Sequence, residues 1–148
     1  MKILLTGSSG TIGTRLTEKL LPYHKLIGVD IRENKWKPEN NRTTLLVDLR
    51  DPDQVETLPR DVDLVIHFAA NARVYDLVKE PRLALDNMII NFNVAEFSRT
   101  TKGKKIIFAS SREVYGNITQ EEALTEDRAR IENCESPRKH RGIAGIPQ

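Results

Sequence analysis

The sequence predicts an α/β fold, a doubly wound parallel sheet of about five strands, and three observations carry that prediction. Short apolar runs without alternation, of which Ile3-Leu4-Leu5 is the first, suit strands buried on both faces of a parallel sheet. These runs alternate with helical stretches, which implies right-handed crossovers and ligands at the carboxyl ends of the strands. Gly7, Gly10 and Gly13 follow the first run at three-residue spacing, where a strand turns into a helix. There Gly7 permits unusual backbone angles, Gly10 lets the main chain approach a pyrophosphate, and Gly13 lets the helix lie close on the strand. The phosphates then sit on free N–H groups at the helix N-terminus, where the helix dipole favours negative charge. Three glycines alone also fit an ordinary loop. Context points to a dinucleotide site: an opening strand, a following helix, and an acid, Asp30, about 20 residues on.

The elements follow in order. Ile12, Leu16 and Leu20 form a four-residue stripe that packs the first helix on the core, and Pro22 ends it. Leu26-Ile27-Gly28-Val29-Asp30 is the second strand, with Asp30 at its carboxyl end. A carboxylate there accepts both adenosine ribose hydroxyls and repels a 2′-phosphate, so NAD is favoured over NADP; Arg32 is the one neighbour that argues for the extra phosphate. A polar loop over 32–42, with Trp36 as a packing or rim residue, leads to a third strand over 43–47. Asp48 closes that strand at the same edge, placed either to accept from the adenine amino group or to act as a loop or capping carboxylate. Asp51 and Pro52 read as an N-cap and first helical residue, opening a short helix through Val55 and Leu58. The fourth strand runs over 63–68, and the small residues Ala69, Ala70 and Ala72 after it let a ribose and phosphates lie against backbone. His67 at its end reads as hydrogen-bonded structure ahead of catalysis. A long helix from Pro81 to about Thr100 carries Leu85, Met88, Ile89 and Phe92 as a stripe, with Asn87 and Asn91 beside it. Gly103 and Lys104-Lys105 lead into the fifth strand over 106–109, which ends in Ser110-Ser111.

Composition narrows the function classes. The chain has 148 residues, 39% hydrophobic and 30% charged, a globular balance without repeats or low-complexity segments. A net charge of +2 gives no reason to expect nucleic acid or a membrane surface as partner, and Arg138-Lys139-His140-Arg141 reads as a solvated cluster. One cysteine, Cys134, excludes an internal disulfide and offers no metal-ligand spacing, so no metal is expected and a reducing, cytoplasmic setting fits. No signal peptide is expected from the opening residues, and no apolar run approaches ~18 residues.

Together, Thr6-Gly7-Ser8-Ser9-Gly10-Thr11-Ile12-Gly13, Asp30, Asp48-Leu49, His67-Phe68-Ala69-Ala70 and Ser110-Ser111-Arg112-Glu113-Val114-Tyr115-Gly116 closely resemble the extended short-chain dehydrogenase/reductases, and within them the NAD-dependent epimerase/dehydratase family. The resemblance covers residues 1 to about 127. It implies a Rossmann fold, NAD as cofactor, and transient oxidation of a sugar hydroxyl on a nucleoside-diphosphate sugar. It also implies cofactor contacts from Gly7, Ser9, Gly10, Thr11, Ile12 and Gly13 at the turn, Asp30 at the adenosine ribose, and Asp48 and Leu49 at the adenine. Phe68, Ala69, Ala70, Asn87 and Ser110 complete the cofactor set, and Ser111 matches the serine that hydrogen-bonds the reacting hydroxyl. Family members commonly dimerise through the helices after the fourth and fifth strands, so a homodimer is a further expectation.

The departure lies at the other end. The family completes its site with Tyr-x-x-x-Lys, because an unperturbed phenol near pKa 10 is a poor base at neutral pH. No tyrosine follows Tyr115; between the matching flanks Ser136-Pro137 and Ile143-Ala144-Gly145, Arg138 takes the tyrosine place and Gly142 the lysine place. Tyr75-Asp76-Leu77-Val78-Lys79 has the spacing but precedes the serine strand, and reads as loop or helix surface. The expectation is a single dinucleotide-binding domain over 1–148, with 118–148 a divergent, frayed tail. The last strands and the C-terminal substrate domain are expected to be absent, as in a truncated or frameshifted product inactive on its own. Two other readings are a non-catalytic NAD-binding module and a non-functional fragment.

Overall fold

In a computed structural model of the chain, the described residues are 1–111. They comprise a compact unit, Met1–Ala109, and the first two residues of a second that begins at Ser110. Tyr115, Cys134, Arg138, Gly142 and the 118–148 tail lie outside the described residues.

Five strands, β1 Lys2–Thr6, β2 Lys25–Asp30, β3 Thr44–Leu46, β4 Leu64–His67 and β5 Ile106–Phe108, form one sheet in the order β3-β2-β1-β4-β5. Every pairing is parallel. Helix α1, Thr11–Leu20, crosses from β1 to β2; α2, Pro52–Glu56, lies between β3 and β4; α3, Val74–Lys79, and α4, Arg82–Thr100, lie between β4 and β5. The chain order reverses between β1 and β4, so a crevice opens there beyond Thr6 and His67, which face each other in register. This is the doubly wound, Rossmann-like sheet that the sequence predicts.

Alternation along β1 divides the core. Leu4 packs with Val29, Val65 and Val47 against Val55 of α2 and Val94 and Phe97 of α4, whereas Ile3 and Leu5 pack with Leu26 and Ile66 against Leu16 and Leu20 of α1. The Asp51 carboxylate accepts from the N–H groups of Asp53 and Gln54, with Pro52 at the first helical position, as expected of that N-cap. The loop after β2 contains a 3-10 turn, Pro38–Thr43, which the sequence reading leaves as loop.

Two helix stripes depart from expectation. Ile12 does not join Leu16 and Leu20 on the core, being 58% exposed in the first turn of α1. On α4, Leu85, Met88, Ile89 and Phe92 form the exposed face, and the side that meets the sheet is Asp86, Ile90, Val94 and Phe97. The exposed stripe is the more apolar of the two, and the buried one opens with the Asp86 carboxylate, so periodicity alone favours the wrong face. Within the unit, Ile106, Ile107 and Phe108 of edge strand β5 are also exposed.

Candidate functional site

The turn between β1 and α1 forms as a tight backbone cradle. Gly7 has φ +71°, and a Cβ on it would stand 2.8 Å from the backbone of Phe68 and Ala69 beyond β4. A Cβ on Gly13 would lie 2.0 Å from the Gly7 carbonyl oxygen, so only glycine lets α1 sit this close to β1. Gly10 differs: its φ of −76° is open to any residue, and its Cβ would meet only the Gly7 oxygen at 3.3 Å. No side chain caps α1 and its first turn holds no acid, so its N-terminal N–H groups are left for an anion.

Asp30 joins this turn to the end of β2. Its Oδ2 accepts the Ser9 N–H at 2.9 Å and its Oδ1 the Arg32 N–H at 3.2 Å, while the Ser9 hydroxyl donates to the Arg32 carbonyl at 2.8 Å. Thr11 and Ile12 are exposed on the first turn of α1. Ser9, Gly10 and Thr11 line a cavity of about 700 Å³ with Arg32, Trp36, Ala70 and Arg73. Trp36 is therefore a rim residue.

A second cavity, of about 240 Å³, extends from Gly7 and Gly10 past Asp30 to Asp48, Leu49 and Arg50. Phe68, Ala69, Ala70, Asp86 and Ile90 complete its walls. Leu49 is nonetheless buried in the core, so only part of it is presented. Arg50 grips Asp48, with Nη2 2.7 Å from Oδ2 and Nε 2.9 Å from Oδ1, and holds its carboxyl below the ordinary carboxylate range. From the same guanidinium Nη1 reaches Asp86 Oδ2 at 2.9 Å.

Behind the crevice lies a buried polar chain. Asn91 Oδ1 stands 2.9 Å from His67 Nε2, which fixes Nε2 as the protonated nitrogen and leaves Nδ1 to accept the Thr6 hydroxyl at 2.6 Å. Thr6 Oγ1 in turn accepts the N–H groups of Phe68 and Ala69, both at 3.2 Å. Burial pushes the His67 pKa down against a smaller opposing effect of the Asn91 hydrogen bond. His67 is thus hydrogen-bonded structure, as the sequence reading has it.

Asn87 occupies a comparable position. Its Oδ1 accepts the Asn71 N–H at 2.8 Å and its Nδ2 donates to the Asn71 carbonyl at 3.0 Å, so the side chain clamps the loop after β4 to α4. Tyr75 and Lys79, the pair with the spacing of a catalytic motif, stack on α3 with Nζ 4.4 Å from the ring centroid, and neither lines the two cavities. Ser110 and Ser111 belong to the second unit. Among the described residues no group of three His, Cys, Asp or Glu side chains converges as a metal site, and no helix is long and apolar enough to cross a membrane.

Arg50, Asp86 and Asn71 escape sequence reasoning. Asp86 alone carries a signal, since a carboxylate one turn before Ile90 and two before Val94 sits on a buried helical face and requires a cation.

A parallel sheet reversing between β1 and β4, with a glycine turn and an acid at its carboxyl edge, defines the dinucleotide-binding class of α/β domains. Comparison narrows the class: the profile of the NAD dependent epimerase/dehydratase family matches residues 3–139, and the chain belongs to that family. Protein CapI of Staphylococcus aureus is 34% identical over 142 residues, covering 86% of this chain and 42% of its own. A uronate dehydrogenase of Pseudomonas syringae pv. tomato is 30% identical over 148 residues, covering 98% of this chain and 49% of its own. The solved structure of a UDP-glucose-4-epimerase from Stenotrophomonas maltophila, with bound NAD and formylated UDP-arabinopyranose, superposes with a TM-score of 0.69 at 26% identity over 81% of this chain and 40% of that one. The chain thus spans less than half the length of each.

Proposed function

We propose that this chain binds NAD across the carboxyl edge of its sheet and forms the cofactor-binding part of a nucleoside-diphosphate-sugar epimerase or dehydratase. The single observation that carries the reading is the uncapped N-terminus of α1, reached through the Gly7 and Gly13 backbone contacts, with the Asp30 carboxylate beside it. Gly7, Ser9, Gly10, Thr11, Ile12 and Gly13 would hold the pyrophosphate, Asp30 the adenosine ribose, and Asp48 and Leu49 the adenine end. Phe68, Ala69 and Ala70 would form the floor, Asn87 would keep the following loop in place, and Ser110 and Ser111 would serve the nicotinamide end and the sugar hydroxyl. Bound NAD supplies a reversible hydride acceptor; the chain's own residues bind and orient it. The exposed apolar face of α4, Leu85, Met88 and Phe92, is proposed as the surface of a homodimer.

A non-catalytic NAD-binding module is the second reading, favoured by Arg138 and Gly142 at the places of the family's tyrosine and lysine. Calorimetric titration with NAD and NADP tests the common ground. Saturable NAD binding, weaker with NADP, is expected; no binding of either overturns both readings.

A further inference from the structure

Trp36 is 67% exposed, yet the backbone that carries it is fixed from inside. Asn34, 2% exposed, accepts the Trp36 and Lys37 N–H groups on Oδ1 at 3.0 and 2.9 Å. Its Nδ2 donates to Thr14 Oγ1 at 2.7 Å, and the Thr14 hydroxyl donates to the Gly10 carbonyl at 2.8 Å. Asn41 completes the brace, its Oδ1 accepting the Asn34 N–H at 2.7 Å. A buried amide therefore ties the Trp36 segment to the glycine turn. The indole itself has no such partner: its N–H bonds to none of the described residues, and it lines the 700 Å³ cavity with Ser9, Gly10 and Thr11. Arg32, Lys35 and Arg73 line the same cavity, and none of the three enters an ion pair among the described residues. Glu33 and Asp76 offset two of these charges, so a positive excess remains beside the uncapped N-terminus of α1.

We infer that Trp36 packs its ring against the ribose and pyrophosphate of the adenosine half of a bound dinucleotide, and that Asn34 is the positioning residue that holds it ready. The inference rests on the dinucleotide reading above. The segment leaves the sheet at Asp30 and is tied to the turn at Ser9 and again at Gly10, which sets the indole on the adenosine side of the phosphates. A ribose offers the indole face its C–H groups, a phosphate oxygen offers the N–H an acceptor, and the free cations match a diphosphate in charge. Because Asn34 fixes the backbone in advance, little freedom is lost there on binding.

Trp36 is the only tryptophan among the 148 residues, so its emission reports on this position alone. The experiment titrates the full chain with NAD, ADP and nicotinamide mononucleotide, following tryptophan emission and its quenching by acrylamide, with calorimetry as the independent measure of binding. NAD and ADP are expected to change the emission and to shield Trp36 from acrylamide, and the mononucleotide to do neither. Trp36→Ala should weaken NAD and ADP by the same factor, about five- to tenfold, and Trp36→Phe by less. Asn34→Ala should weaken both ligands and lower the anisotropy of Trp36 emission in the free chain, a change that lost stability alone does not produce. Thr14→Val cuts the same brace with little change of volume and takes its place if Asn34→Ala does not fold. Saturable calorimetric binding of NAD with Trp36 emission and shielding unmoved, an unchanged affinity in Trp36→Ala, or a response to the mononucleotide equal to that to ADP overturns the inference and leaves the dinucleotide reading intact. Unchanged anisotropy in the folded brace variants overturns the part given to Asn34. Absence of calorimetric NAD binding overturns both the inference and the reading beneath it.

Discussion

The Thr6 hydroxyl and His67 Nδ1 meet at 2.6 Å where β1 and β4 part, and through that contact the imidazole supports the backbone that floors the crevice. Thr6 has no spare capacity: its hydroxyl donates to His67 and accepts from Phe68 and Ala69. A protonated His67 turns its acceptor into a donor and leaves the Thr6 hydrogen without its partner. Because burial lowers the folded-state pKa below 6.5, the unfolded chain binds the extra proton first. Stability is therefore complete above about pH 6.5 and falls as the pH drops below it, by at most about 1.4 kcal/mol per pH unit. Urea unfolding at pH 7.5, 6.0 and 5.0 measures this, and His67→Gln should remove the His67 share of the decline; an unchanged pH profile in that variant would mean that His67 does not carry it.

Gly13 and Gly10 should separate packing from binding. A Cβ on Gly13 meets the Gly7 carbonyl at 2.0 Å and forces α1 off β1, so Gly13→Ala is expected to lose about 1–3 kcal/mol of stability. At Gly10 the backbone tolerates a side chain, and Gly10→Val should fold yet show no calorimetric NAD binding, because the side chain fills the space where the main chain meets the pyrophosphate. A folded Gly10→Val chain with unchanged affinity would show that the turn holds no phosphate.

Asp30 is expected to set the preference for NAD. Both its oxygens already face the turn, bonded to Ser9 and Arg32 N–H groups, and a 2′-phosphate brought there meets a carboxylate. Asp30→Ser removes that repulsion and leaves Arg32 available to the phosphate, so the NAD-to-NADP affinity ratio should fall by about tenfold. Competitive titration of the two cofactors reads the ratio directly; if it does not move, discrimination lies elsewhere on the rim.

Most of this architecture is legible in the sequence because the signals are local. Ile3-Leu4-Leu5, the glycine spacing, Asp30 and the Asp51-Pro52 cap each declare their structure within a few residues, and the alternation of strands with helices implies the parallel sheet that is found, though not its strand order. What is not legible depends on partners distant in the chain. Arg50 to Asp86 spans 36 positions and His67 to Asn91 spans 24, and neither pair has a local pattern. The buried face of α4 is hidden for the same reason: Asp86 reads as polar until Arg50 is placed opposite it.

The Arg50–Asp86 pairing is expected to matter for stability. Arg50→Met leaves the Asp86 carboxylate buried without its cation, at a cost of about 1–3 kcal/mol, less than for a fully buried pair because Arg50 is half exposed. Adding Asp86→Leu to Arg50→Met should recover most of that loss, since an apolar side chain suits the face shared with Ile90 and Val94. Chemical denaturation of the two single variants and the double variant gives the coupling; additive losses would place Arg50 outside any interaction with Asp86.

Turnover is the last expectation, and the chain as it stands should show none with nucleoside-diphosphate sugars even where NAD binds. Ser111 can orient a hydroxyl, but the only tyrosine after it, Tyr115, has no lysine four residues on. The other candidate pair is self-engaged, Lys79 standing over the Tyr75 ring on α3 and away from the lining of both cavities. Without a tyrosine and lysine in the family's places the substrate proton lacks its acceptor there, and general acid–base help is worth about 10²–10⁴ in rate. The assay follows product and bound NADH over a panel of UDP- and dTDP-sugars, with Ser111→Ala and Tyr75→Phe as controls. Turnover by the unaltered chain that is lost in Ser111→Ala would falsify the expectation, and its loss in Tyr75→Phe as well would identify Tyr75 as the base.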